Sequence, residues 1–268
     1  MHFITLTEKK YPAGLQRVEY QSLVDSFSDW CLYDPPEEAS STGIFVLHGF
    51  DGHGNQLYLR PNLRRFCLPE YRRRNYHIFT PNLRDNAWMN PVAVADLARL
   101  IQVFKERFNL KKIILDSGSM GGSSNLVFAI LHPELIHAVI ARGAIADLAQ
   151  YDAFCTSHQA ENPIFATIHN SIISHYNGTP QSNPALYQRH SAILHYQQLQ
   201  DLPLFYCHGD HDALMPVSAA REFAALCQNF PKFKYLEIPN GDHESGLRLT
   251  SAPLDWIEKQ TSAPEDMA

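Results

Sequence analysis

The sequence predicts an α/β fold: a mostly parallel central sheet with helices on both faces and one long inserted segment. Three observations carry this. Six short apolar runs with the length of buried strands recur along the chain. Helical patterns fall between them, and that alternation is the signature of a parallel sheet covered on both sides. Between residues 147 and 200 the rhythm breaks, over a span far longer than the usual connection of about 4–6 residues.

The elements follow in order. LQRVEYQSL and SDWCLYDP are rich in β-formers and are expected to pair as an opening hairpin. GIFVLHGF (43–50) is the first core strand, a continuous apolar run ending in glycine. NYHIFTPNL (75–83), KKIILDSG (111–118) and IHAVIARGA (136–144) are the next three. LPLFYCHGD (202–210) and FKYLEIPNGD (233–242) are the last two. Among the helices, PVAVADLARLIQVFKERF (91–108) starts on a proline suited to a first turn and carries apolar residues three and four apart. MGGSSNLVFAILHPE (120–134) is helical up to Pro133. VSAAREFAALCQ (217–228) follows Pro216, and APLDWIEKQ (252–260) closes the fold. Arg72, Arg73 and Arg74 read as a solvated loop before a strand. The tail TSAPEDMA is expected to fray. Residues 1–268 thus read as a single domain, with 147–200 as a lid within it. The lid holds His158, His169, His175, His190 and His195, expected as surface or hydrogen-bonded core residues rather than ligands.

Composition narrows the function. At 45% hydrophobic and 19% charged residues, the chain is an ordinary globular one. The formal charge of −6 provides no basic field, which argues against nucleic acid. Five cysteines, odd in number and with no CxxC pair, read as buried or free thiols of a reducing compartment. MHFITLTEKKYPAG lacks a basic region followed by an apolar core, so no secretory signal is read there. No apolar run approaches the roughly 18 residues that cross a membrane. The expectation is a soluble cytoplasmic protein with no membrane partner.

The stretch KKIILDSGSMGGSSN (111–125) concentrates four serines at the junction of a strand and a helix. A nucleophile on such a turn needs small neighbours two residues before and after it, because the backbone folds sharply. Ser119, between Ser117 and Gly121, meets both conditions. Ser117 fails with Leu115 before it, Ser124 fails with Leu126 after it, and Ser123 lies inside the helix. The motif Ser-x-Ser-x-Gly departs from Gly-x-Ser-x-Gly only at its first, still small, residue. No Gly-Lys-Ser/Thr and no Gly-x-Gly-x-x-Gly is present, so a nucleotide-binding turn is not supported.

A serine hydroxyl needs a base, and the base needs an acid to orient it. On folds with this turn the chain order is Ser, then Asp or Glu, then His. The strand 202–210 leads into HGDHDALMP, which offers Asp210 and Asp212. After Asp212 the only histidine is His243, in NGDHES just past the next strand.

These segments resemble the α/β-hydrolase superfamily, and within it the prolyl-oligopeptidase-like and esterase-like branch. The matching residues are VLHGF (46–50), SGSMGG (117–122), HGDHDALMP (208–216) and GDH (241–243), in the family's order and over nearly the full length. The resemblance implies an α/β-hydrolase fold. The pattern His-Gly-x-x-Asp-x-x-x-Pro places the triad acid at Asp212. It also implies an oxyanion hole from the backbone of Phe50, after His-Gly, and of Met120, after the nucleophile. The triad would then be Ser119, Asp212 and His243, with no metal and no organic cofactor.

Beside these, His48 and His208 read as braces of their own turns. His48, Asp51 and His53 look like metal ligands but lack further carboxylates in register. Asp51, Asn55, Asp85 and Trp88 lie near the carboxyl edge of the sheet, where ligands bind in open α/β folds; Asp51 and Trp88 are the candidate substrate contacts. The expected substrate is a small-molecule ester or a short peptide, and the expected reaction is hydrolysis of a carboxylic ester. A small peptidase, an acyltransferase or a thioesterase would use the same triad. The peptidase reading is lowered by the roughly 42 residues before the first core strand, too few for a propeller domain. A non-catalytic ligand binder is the reading from another class.

Overall fold

The computed structural model describes residues 1–262; the rest of the tail expected to fray, 263–268, lies outside the described residues. Strands β1 (His2–Thr5), β2 (Gln16–Gln21) and β3 (Ser28–Asp34) form an antiparallel ribbon. β4 (Thr42–Phe45) leads through three short helices, α1 (Gln56–Leu59), α2 (Pro61–Phe66) and α3 (Leu68–Arg73), to β5 (His77–Pro81). Then come α4 (Pro91–Arg107), β6 (Lys112–Gly118), α5 (Met120–Leu131) and β7 (Ala138–Arg142). The inserted segment holds α6 (Leu148–His158), α7 (Pro163–His175) and α8 (Pro184–Arg189). β8 (Leu204–Gly209), α9 (Val217–Cys227), β9 (Phe233–Ile238) and α10 (Ala252–Thr261) complete the described chain.

The strands make one nine-stranded sheet in the order β1-β2-β3-β5-β4-β6-β7-β8-β9. β3 meets β5 antiparallel, and from β5 to β9 every pairing is parallel. Inner strands such as β7 are buried along their whole length, which explains their unbroken apolar sequences. One core lies between the sheet and α4 and α5, with Leu97, Leu100, Ile101 and Phe104 of α4 at helical spacing. Asn90 caps α4, its side chain accepting the Ala93 amide at 3.0 Å. The opposite core joins Ile44 and Val46 to Leu57, Leu68, Leu254 and Ile257.

Several expectations need correction. The first core strand ends at Phe45 rather than at residue 50, because Val46–Phe50 leaves the sheet to build a loop at its carboxyl edge. The hairpin has a third strand, β1, and residues 56–73 are helical. Arg72 and Arg73 are solvated as expected, but the run is not a loop. Arg72 and Arg73 end α3, and the Arg74 side chain is 4% exposed, held by Glu70, Asp255 and Glu258. It fastens α10 to the body of the protein. The insertion is more regular than its sequence suggests, being mainly three helices. All five cysteines are buried free thiols.

Candidate active site

The turn between β6 and α5 raises Ser119 into an uncommon conformation. Its φ is 57° and its ψ −133°, a region that costs an L-residue strain and is held by its surroundings. The Ser119 amide donates to the Arg142 carbonyl of β7 at 2.9 Å. The small residue two positions on is needed for space: a Cβ on Gly121 would sit 2.5 Å from the Leu47 carbonyl oxygen. On the other side, the buried Ser117 hydroxyl accepts the Leu47 amide at 2.8 Å. Ser117 therefore holds the loop that follows β4, and Gly121 leaves room for it.

His243 stands between Ser119 and Asp212. Its Nε2 is 2.9 Å from Ser119 Oγ and its Nδ1 is 2.7 Å from Asp212 Oδ2. The Asp212 side chain is 0% exposed. Its Oδ1 accepts the Leu214 and Met215 amides, each at 2.9 Å, and its Oδ2 also lies 3.3 Å from His208 Nε2. Burial alone would push the Asp212 carboxyl up, but the bond and charge of His243 and the Met215 amide hold it below the usual carboxylate range. Asp210 turns away, accepting from His211 and from the Gly241 amide. The two loops fit because they are bare where they cross: a Cβ on Gly209 would lie 2.3 Å from the Gly241 carbonyl oxygen.

His208 is fully buried and its Nε2 faces the Met215 carbonyl at 2.8 Å. Burial lowers its pKa, so it stays neutral and braces the turn that carries Asp212. His48 is likewise buried, with Nδ1 against the Gly49 carbonyl and Nε2 against that of Asn82.

The loop holding Phe50 is fixed by residues that carry no motif. Gln56 Oε1 accepts the Gly49 amide at 2.7 Å, and Asn86 Oδ1 accepts the Asp51 amide at 2.8 Å. Asn82 reaches the same loop through the Gly54 amide. Asn82 and Asn86 act across 28 and 35 residues and Gln56 across seven, so no short motif announces them. The Phe50 amide forms no hydrogen bond among the described residues, and Met120 heads α5, where helix amides have no intrahelical acceptor.

The remaining candidates separate. Asp51 is exposed, and its carboxylate has no hydrogen-bond partner among the described residues. Asn55 donates to the Tyr11 hydroxyl, and Asp85 pairs with His53 at 2.9 Å. Trp88 is 2% exposed; its ring packs near Phe50 and Tyr151, and its indole donates to Ser171. His48, Asp51 and His53 do not converge, and no metal-binding group of three His, Cys, Asp or Glu occurs among the described residues. In the insertion, His169 bonds Asp152 at 2.7 Å and His190 is buried against the Tyr176 hydroxyl at 3.1 Å.

One buried ion pair went unread in the sequence. Arg142 Nε and Nη2 donate to the two oxygens of Asp116 at 2.8 and 2.7 Å. Its Nη1 donates to the Gly246 carbonyl at 2.8 Å, so β7 ties the strand before Ser119 to the loop after His243.

A parallel sheet whose carboxyl edge carries a serine on a strained turn defines an α/β-hydrolase fold, and solved structures share it. FphF, a fluorophosphonate-binding serine hydrolase of Staphylococcus aureus in a substrate-bound form, aligns with a TM-score of 0.68 at 14% identity, over 92% of this chain and 99% of its own. MPT51 of Mycobacterium tuberculosis aligns with a TM-score of 0.71 at 12% identity, over 92% and 98%. A chain described as a candidate dipeptidyl aminopeptidase IV of Bacteroides ovatus aligns with a TM-score of 0.66 at 15% identity. There the match covers 92% of this chain but 36% of the other, so this chain spans about a third of that protein. No curated protein matches the sequence. The model of the prolyl oligopeptidase family matches residues 88–262, and the chain belongs to that family of serine hydrolases. Among the described residues, no helix is long and apolar enough to cross a membrane.

Proposed function

We propose that this protein hydrolyses carboxylic esters with Ser119 as nucleophile, His243 as general base and acid, and Asp212 as the orienting acid. The observation that carries the reading is His243 bridging the other two at 2.9 and 2.7 Å. With Nδ1–H donated to Asp212, the Nε2 lone pair faces Ser119 Oγ. Ser119 Oγ attacks the ester carbonyl as its proton passes to Nε2. The Phe50 and Met120 amides hold the oxyanion, each contributing about 3–4 kcal/mol in comparable sites. Collapse of the intermediate expels the alcohol, which takes the proton from His243. Water then attacks the acyl-enzyme through the same base, releasing the acid and restoring Ser119. Residues 147–200 act as a lid; the packing of α6 and α7 with Trp88, Met120 and Ile145 supports this.

The test is turnover of p-nitrophenyl acetate, butyrate and octanoate by the wild type and Ser119→Ala. Release should fall on the order of 10⁴-fold or more in the variant. Equal release from both proteins would sink the assignment.

One observation favours a second reading, a small aminopeptidase. The Asp51 carboxylate, without a hydrogen-bond partner among the described residues, adjoins Phe50 and suits a substrate's terminal ammonium. An aminoacyl-p-nitroanilide panel decides: turnover whose KM rises in Asp51→Asn supports it, and no turnover removes it.

A further inference from the structure

A cleft enclosing about 50 Å³ and open to solvent at its mouth lies beside Ser119. One wall is α1 and α2, with Leu57 and Leu63; the facing wall is Leu247, just past His243. Val46 lies deeper, and Ser119 and His243 also line it. Leu47, His48 and Gly49, which precede the proposed donor Phe50, line it as well, while His243, Glu244 and Leu247 form the part next to the base.

That position has a chemical meaning. The leaving oxygen must come within hydrogen-bond reach of His243 Nε2 to take its proton. The part of the ester attached to that oxygen therefore lies nearest the His243 wall. The rim is charged yet neutralised: Arg60 pairs with Glu244, and Asn62 donates to the other Glu244 oxygen at 2.7 Å. Both rim side chains are about two-fifths exposed, at 43% and 38%, so they meet solvent at the mouth. Deeper in, the Thr80 hydroxyl is buried and has no hydrogen-bond partner among the described residues.

We propose that this cleft binds the leaving group of the ester, an uncharged apolar alcohol, and that Arg60 and Glu244 exclude charged ones by satisfying each other. The inference rests on the ester-hydrolase reading. Each methylene buried in the cleft should raise kcat/KM about three- to fourfold. An anionic or cationic alcohol finds no free counter-charge at the rim. Removing either rim partner releases the other: Arg60→Gln leaves Glu244 to attract cationic alcohols, and Glu244→Gln leaves Arg60 to attract anionic ones.

The experiment uses two ester series. One holds the acid as acetate and lengthens the alcohol from ethyl to butyl, hexyl and octyl. The other holds the alcohol as ethyl and lengthens the acid over the same range. Both are run with the wild type, Leu63→Trp, Arg60→Gln and Glu244→Gln. Labelling of Ser119 by a small fluorophosphonate reports that each variant is folded with a reactive serine. The expected result is that Leu63→Trp flattens the dependence of kcat/KM on alcohol length by about tenfold between butyl and octyl, with the acid series changed less. The two rim variants should shift the ratio of acetylcholine to O-acetylglycolate turnover in opposite directions. An effect of Leu63→Trp on the acid series as large as on the alcohol series would overturn the assignment, as would no effect on either. Wild type that labels with fluorophosphonate but cleaves no ester in either series would instead overturn the ester-hydrolase reading itself.

Discussion

The Ser117 hydroxyl accepts the Leu47 amide at 2.8 Å, so the strand that delivers Ser119 also holds the loop that delivers Phe50. Ser117 occupies the first position of the elbow motif, where glycine is usual. Its small size satisfies the turn, and its oxygen does a second job that glycine cannot do. Ser117→Ala strands a buried amide at a cost of about 1–3 kcal/mol. Because that amide lies three residues before Phe50, kcat should fall about tenfold while KM changes little. Chemical denaturation and steady-state kinetics on the same preparation check both parts. Unchanged stability would show that the Leu47 amide finds another acceptor.

Asp212→Asn should lower kcat on the order of 10⁴-fold if Asp212 orients His243. Asp210→Asn should have little effect, since Asp210 bonds His211 and the Gly241 amide instead. The reverse pattern would move the acid to Asp210.

His190 makes the insertion sensitive to acid. Burial first, and then the neighbouring Arg189, push its pKa down to about 4. In the unfolded chain it titrates near 6.5, so between these values only the unfolded state takes the proton. The stabilisation is complete above about pH 6.5 and is lost as the pH falls toward 4, at up to about 1.4 kcal/mol per pH unit. His190→Gln should flatten this part of the stability profile, read from denaturant melts between pH 7 and pH 5. An unchanged slope would mean that other groups carry the acid sensitivity.

Arg74→Met should destabilise the protein by about 2–3 kcal/mol, because the carboxylates of Glu70, Asp255 and Glu258 lose a shared cation. The three acids are partly exposed and recover some hydration, which keeps the loss below that of a fully buried pair. Limited proteolysis should then release α10 first. Cleavage elsewhere at an unchanged rate would show that α10 is held by its apolar face alone.

The sequence and the structure agree where local physics decides. Strands β5 to β8 are buried on both faces, so their apolar runs announced them, and α4 announced itself by spacing and by Pro91. The helices α1 to α3 did not, because four- to six-residue helices show no repeat. The elbow was legible because a sharp turn demands small residues around Ser119. Chain order isolated His243, but spacing alone left Asp210 and Asp212 level, and only the family pattern favoured one. Asn82, Asn86 and the Arg142–Asp116 pair stayed hidden, since each role depends on partners distant in sequence, and Gln56 because a side chain reaching back seven residues makes no motif. Arg74 misled for the same reason: it looks solvated until two of its three acids, 181 and 184 residues away along the chain, are seen.

The order of strands also sets when the site can exist. Ser119 and His243 are 124 residues apart, and His243 follows β9, the outermost strand on its side of the sheet. Edge strands exchange their amides with solvent more readily than the centre of a sheet. Opening at β9 would carry His243 away from Ser119 while the centre of the sheet stays closed. On the proposed mechanism, the reactivity of Ser119 is a gauge of the docking of a single strand. During folding it should be the last native property to appear, after the protection of β6 and β7.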